Sequence, residues 1–100
     1  MTRIELAPAV LNDLDRFIDH MERFEVANIE QRTGDIIEAL EILRHSPLIG
    51  RPVKNGRREL LIGRDSHAYV ARYQYIPDID TVLVLALRSQ RESGFKQKRR

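Results

Sequence analysis

The spacing of apolar residues changes at Pro47, and this change constrains the fold more than any other feature of the chain. Before Pro47, apolar residues recur at helical spacing in two runs, 8–24 and about 26–45, which meet at residues 24–25. After it, segments alternate apolar and polar residues or are apolar throughout, as in β-strands. The sequence therefore predicts a helical half followed by a sheet-forming half.

In the helical half, Pro8 suits the first position of a helix, where its missing N–H has no partner. We expect acidic residues to occupy the face opposite the apolar stripe of this first helix: Asp13, Asp15, Asp19 and Glu22. In the second run, a close crossing of the two helices would explain Gly34. The short connection favours an antiparallel helical hairpin.

Strands are predicted at 57–62, 68–76 and 81–88, after a loop rich in Pro and Gly, and a first strand at 2–6. The segment 81–88 is apolar on both faces, which is typical of a central, fully covered strand. We predict an α+β two-layer sandwich of order β-α-α-β-β-β: an N-terminal strand, the helical hairpin and a three-stranded antiparallel meander. Residues 1–100 would form a single domain in which 94–100 is a frayed basic tail.

Asp65, Ser66 and His67 in the stretch GRDSH are the residue types of a hydrolase triad. Catalytic triads need side chains that converge, whereas adjacent residues point apart, and no nucleophile-elbow pattern surrounds Ser66. Asp and Ser are common turn residues. The stretch is therefore better interpreted as a hairpin turn.

The sequence offers little support for other catalytic, metal-binding or phosphate-binding sites. The chain has no cysteine, which excludes thiol nucleophiles and zinc–thiolate sites and suits the cytoplasm. Its histidines lack metal-ligand spacing, and no phosphate-binding glycine loop is present. The longest apolar run, 82–87, is too short to span a bilayer. We therefore expect no metal, no cofactor and no membrane partner.

Charge is divided between the two halves of the chain. Residues 1–45 carry five basic and ten acidic side chains, a balance of −5, whereas residues 46–100 carry twelve and five, a balance of +7. In a meander, basic residues of the second half would gather on the sheet face away from the helices, where they could grip RNA phosphates or an acidic protein segment. An ordinary exposed sheet with charged edges is the alternative. The candidate target-contact residues are Arg57, Arg58, Arg72, Arg88, Arg91, Phe95 and Lys96.

The segment 48–95 resembles the ParE/RelE toxin superfamily of type II toxin–antitoxin systems, and the ParE branch most closely. The resemblance lies in GRPV (50–53), the R-x-L-x-I-G motif at 58–63, the tyrosine-rich YVARYQY (69–75) and ALRSQRE (86–92). The helix APAVLNDLDRFIDHM (7–21) resembles the first helix of the family. The resemblance covers roughly residues 2–95, and the fold of the family agrees with the predicted fold.

The resemblance implies a cytoplasmic toxin that blocks growth until a cognate antitoxin wraps it, as in plasmid stabilisation. An acidic antitoxin segment would fold onto apolar surface of the helices and sheet, and DNA contact would occur through the antitoxin. ParE-like members inhibit DNA gyrase. RelE-like members are ribosome-dependent mRNA endonucleases that use basic residues on the sheet and a C-terminal Arg followed by Tyr or His.

The RNase residues are poorly matched here. Glu59 lies inside the strand that would carry a basic residue, and Val70 stands where another is expected. Arg91 matches the C-terminal Arg, but Phe95 and Lys96 stand near the expected Tyr or His.

If the chain were an RNase, Arg58, Arg72 and Arg91 would contact phosphate. We therefore predict a gyrase inhibitor that acts by binding. The alternatives are a RelE-type mRNA endonuclease and a non-toxic protein-binding module.

Overall fold

The computed structural model describes residues 1–24, 26–63 and 68–90. It has two helices and a five-stranded sheet, which confirms the α+β fold. One short strand, Arg51–Pro52, was not predicted. The elements are β1 (Arg3–Leu6), α1 (Pro8–Arg23), α2 (Ile29–Leu40), β2 (Arg51–Pro52), β3 (Arg58–Ile62), β4 (Tyr69–Ile76) and β5 (Thr81–Ser89).

The strands lie in the order β1-β5-β4-β3-β2. Strands β2 to β5 pair antiparallel, so β3, β4 and β5 form the predicted meander. Strand β1 pairs parallel to β5 at the edge of the sheet, with Ile4 opposite Val82. Strand β5 therefore has a neighbour on each side along its first half. Its helix-facing residues Val82 and Val84 are fully buried, but Leu83 on the other face is only half-buried. The expectation of a fully covered strand was thus wrong for that face.

Helix α1 begins at Pro8, as predicted, and packs a continuous stripe against the sheet. Val10, Leu14, Phe17 and Met21 are buried, following the helical repeat of 3.6 residues. Asp13 is also buried in this stripe, with only 3% of its surface exposed. Its predicted place on the solvent face was therefore wrong, whereas Asp15, Asp19 and Glu22 are exposed as expected.

Helix α2 is shorter than the predicted run. Asn28 adopts the left-handed conformation (φ 60°) before the helix begins, and a 3-10 turn at Glu41–Arg44 follows its end. Ile36, Leu40 and Leu43 are buried in the core. A Cβ at Gly34 would have no heavy atom within 4 Å. A close helix crossing at Gly34 was therefore a wrong expectation.

Strands β3 and β4 pair on either side of GRDSH, with Ile62 opposite Tyr69. Residues 64–67 lie outside the described residues, so the predicted turn at Asp65, Ser66 and His67 stays a prediction. Because the strands on either side of GRDSH pair antiparallel, a hairpin turn between them would be consistent with the sheet.

Strand β5 contains a β-bulge. Tyr73 lies opposite Val84, whereas its neighbour Arg72 lies opposite Ala86, so Leu85 is an extra residue on β5. The bulge shifts the alternation of side chains by one residue. Leu87 consequently returns to the helix-facing side, where it is fully buried.

Candidate target-binding surface

The sheet presents one face to the helices and an outer face on the opposite side. Tyr69, Ala71, Tyr73 and Tyr75 of β4 belong to the core between sheet and helices, and the ring centroid of Tyr69 lies 4.8 Å from that of Phe17. This confirms the predicted alternation of β4. Because paired residues share a face, the outer face includes Arg51, Glu59, Leu61, Val70, Arg72, Gln74, Leu83, Ala86 and Arg88.

A row of charges crosses three strands of the outer face. Glu59 of β3 lies between Arg72 of β4 and Arg51 of β2. Its Oε2 is 3.2 Å from Arg72 Nη2, and its Oε1 is 3.0 Å from Arg51 Nη2. The Glu59 side chain is only 10% exposed, so its charge is largely withdrawn from solvent and opposed by both cations. One carboxylate thus partly neutralises two arginines.

Arg58 does not lie on the outer face, because it pairs with the core residue Tyr73. Its Nη1 donates hydrogen bonds to the carbonyl oxygens of Leu48 (2.9 Å) and Gly50 (2.8 Å). The expected gathering of Arg58 with Arg72 on one face was therefore wrong. The reason is the register, which sets Glu59, and not Arg58, opposite Arg72.

The other candidate residues do not form one group. Arg88 lies on the outer face opposite Val70, near the end of β5, and is half-buried. Arg57 precedes β3, and its carbonyl accepts a hydrogen bond from Val53 N–H (2.8 Å). Of the candidates that lie within described strands, Arg72 and Arg88 share the outer face and Arg58 does not. Arg91, Phe95, Lys96 and the predicted tail 94–100 lie outside the described residues. The target-contact role of every candidate stays a prediction.

The tyrosines of β4 are placed as packing residues. Burial raises the pKa of Tyr73, against the opposing effects of the hydrogen bond from Gly50 N–H and of the nearby Arg58. Burial also raises the pKa of Tyr69, opposed by Arg32. Both phenols therefore keep their protons at neutral pH, and both face the helices. They are poorly placed for proton transfer on the outer face.

Two sites that were absent from the sequence-based expectations emerge from the structure. Gly50 N–H donates to Tyr73 Oη at 2.8 Å, and buried Asp13 accepts the backbone N–H of Leu87, also at 2.8 Å. For Asp13 a signal was available, because residue 13 lies at helical spacing between Val10 and Phe17. The contact of Gly50 joins residues 23 positions apart and left no local signal.

Within residues 1–24, 26–63 and 68–90, no group of three or more His, Asp or Glu side chains could hold a metal ion. Neither α1 nor α2 is long and apolar enough to cross a membrane.

Residues 4–94 match the family model of the ParE toxin of the type II toxin–antitoxin system parDE. The chain belongs to the ParE toxin family. Membership in this toxin family implies an antitoxin as partner. No curated protein matches the sequence.

Two solved structures share the fold of this ParE-family chain. The chromosomal ParDE toxin–antitoxin system from P. aeruginosa is 21% identical with a TM-score of 0.72, covering 89% of this chain and 96% of that one. The intact E. coli RelBE toxin–antitoxin complex is 13% identical with a TM-score of 0.63, covering 92% and 100%. At such identities the likeness concerns the fold alone.

Proposed function

We propose that this ParE-type toxin inhibits DNA gyrase by binding to it in the cytoplasm, and that a cognate antitoxin prevents this. The outer face and the segment that follows β5 would supply the contacts. Arg72 and Arg88 are the candidates of that face within the described residues. ParE family membership over residues 4–94 supports the proposal at the level of class.

The observation that carries the proposed mode of action is the charge row of Glu59 with Arg51 and Arg72. Cleavage of RNA needs cations directed at a phosphate and groups that move protons in the transition state. Here the Glu59 carboxylate lies between Arg51 and Arg72 and would repel a phosphate that approached either arginine. Arg58 is bound to two backbone carbonyls. This arrangement favours binding a protein surface over cleaving RNA.

The test is DNA supercoiling by purified gyrase with micromolar toxin added. We expect inhibition, and we expect it to disappear when the toxin is mixed beforehand with its antitoxin. Growth arrest in cells together with undisturbed supercoiling would contradict the proposal.

A pair of charge reversals tests the contact surface in the same assay. Arg88→Glu should weaken inhibition, because it reverses a charge on the outer face. Arg23→Glu is the matched control, since Arg23 is 71% exposed on helix α1 and pairs only weakly with Asp19 across 3.2 Å. Equal inhibition by the two variants would remove Arg88 from the proposed surface.

A translation extract programmed with a defined mRNA tests the endonuclease alternative. Toxin-dependent cuts at the ribosomal A site would replace gyrase inhibition as the function. Induced expression without antitoxin tests the third alternative, because unaffected growth would indicate a non-toxic binding module.

A further inference from the structure

Asp13 is a buried carboxylate in the apolar stripe of helix α1. Its side chain is 4% exposed, and both oxygens have partners. Oδ1 accepts a hydrogen bond from Arg16 Nη1 at 2.6 Å, and Oδ2 accepts one from the backbone N–H of Leu87 at 2.8 Å. Burying a charge is unfavourable unless it is paired and hydrogen-bonded. Asp13 meets the first condition through Arg16 of the same helix and the second through both Arg16 and β5.

The contact falls where β5 loses its neighbour. Strand β1 ends with Leu6 opposite Val84, and the chain leaves the sheet there, with Ala7 N–H donating to the Val84 carbonyl at 2.9 Å. Within the described residues, no strand follows β1 beside residues 85–89 of β5. The Asp13 carboxylate therefore bonds a backbone amide in the part of β5 that β1 does not reach.

The same contact lies two residues beyond the extra residue of the β5 bulge, Leu85. With the bulge, Leu87 lies opposite Ala71 on the helix side, and Arg88 lies opposite Val70 on the outer face. Continuing the register of Val84 without a bulge would set Leu87 opposite Val70 and turn Arg88 toward the helices. One residue of register thus decides the face on which Arg88 lies.

We propose that Asp13 is a positioning residue, whose hydrogen bond to Leu87 N–H holds the bulged register of β5 and so keeps Arg88 on the outer face. Arg16 balances the carboxylate charge from one turn further along the helix and also lies over the ring of Phe17, 5.0 Å from its centroid. The importance of Arg88 for the target rests on the proposed function, whereas the control of register by Asp13 does not.

Disulfide trapping can read the register, because the chain has no cysteine of its own. Val70→Cys with Arg88→Cys places two thiols opposite each other in the bulged register. Val70→Cys with Leu87→Cys does so only in the slipped register, since Leu87 otherwise lies on the opposite face. Both pairs are introduced into the full chain and oxidised, and the bridged fraction is measured by mass spectrometry.

In the otherwise unchanged chain, the 70/88 pair should bridge and the 70/87 pair should not. Asp13→Ala should shift the ratio of 70/88 to 70/87 bridging toward the 70/87 pair, on the order of tenfold, as expected for loss of a hydrogen bond to a charged group. Asp13→Asn should retain the native pattern, because its amide oxygen still accepts Leu87 N–H. Asp19→Ala, an exposed ion-paired residue on the same helix, is the matched control and should also retain it.

An unchanged trapping pattern in folded Asp13→Ala would overturn the proposal. If that variant does not fold, amide hydrogen exchange of the unsubstituted chain decides instead. The proposal requires the Leu87 amide to be protected, whereas exchange as fast as that of an open strand edge would overturn it. Failure of the toxin to inhibit gyrase would overturn the proposed function alone, because neither readout involves gyrase.

Discussion

The backbone nitrogen of Gly50 lies 2.8 Å from the phenolic oxygen of Tyr73, at a position with no room for a side chain. A Cβ on residue 50 would come within 2.6 Å of Tyr73 Oη and 2.9 Å of the Glu59 carbonyl oxygen. Arg58 holds the same loop through the carbonyls of Leu48 and Gly50. A buried tyrosine and one arginine thus fasten the loop before β2 to the sheet.

Gly50→Ala should destabilise the fold by about 1–3 kcal/mol, the usual effect of adding a methyl group to a filled site. Urea denaturation measures the change in the free energy of unfolding. Gly34→Ala is the matched control, because Gly34 is exposed and its Cβ would meet open space. It should stabilise the chain by up to about 1 kcal/mol. Equal effects of the two substitutions would contradict the close packing at Gly50.

Arg58→Ala should lower the free energy of unfolding by about 1–2 kcal/mol, because it removes two hydrogen bonds from a charged donor to backbone carbonyls. Arg23→Ala serves as control, since its ion pair is solvent-exposed and such pairs contribute less than about 1 kcal/mol. The comparison uses urea midpoints at one pH and salt concentration. If Arg58→Ala is as stable as the control, the contacts of Arg58 do not hold the loop.

Glu59→Gln should destabilise the protein by about 1–2 kcal/mol, because the neutral amide leaves Arg51 and Arg72 beside each other without a carboxylate. Glu5→Gln breaks the exposed pair with Arg3 and should change stability by less than about 0.5 kcal/mol. Thermal unfolding at low and high salt measures both. Higher stability of Glu59→Gln than of the unsubstituted chain would show that the row is not a stabilising ion-pair network.

The stability of the β4–β5 turn should depend on pH through Asp80. Hydrogen bonds from Tyr75 and Thr2, each 2.7 Å long, hold the pKa of the Asp80 carboxyl below its ordinary value. Because the pKa is lower in the folded state, the carboxylate stabilises the fold above its unfolded-state pKa. That contribution is lost as the pH falls through the folded-state pKa.

Asp80→Asn should therefore be less stable than the unsubstituted chain at neutral pH, and the difference should shrink in the acid range. Urea midpoints over a pH series provide the measurement. Asp78→Asn, which alters an exposed carboxylate in the same turn, is the control. A difference between Asp80→Asn and the unsubstituted chain that persists at the acid end would contradict the assigned linkage.

Much of the fold could be predicted from local sequence. The helical period of residues 8–24 and the alternation of 69–76 report which side chains of one element share a face, because that geometry is set within the element. Pro8 marked the start of α1 for the same reason. The two-residue strand β2 escaped prediction because it exists only through pairing with β3.

The sequence by itself determined that this chain has two amphipathic helices, a meander and a basic second half. Only the tertiary structure decided that Arg58 faces Tyr73, that Glu59 lies between Arg51 and Arg72, and that Arg88 emerges on the outer face beyond a bulge. These are matters of register between strands and of a helix carboxylate reaching a distant amide. Local periodicity carries no information about strand register, because a shift of one residue preserves the pattern while exchanging the faces. Helical spacing indicates that Asp13 is buried but does not identify the distant amide that it contacts.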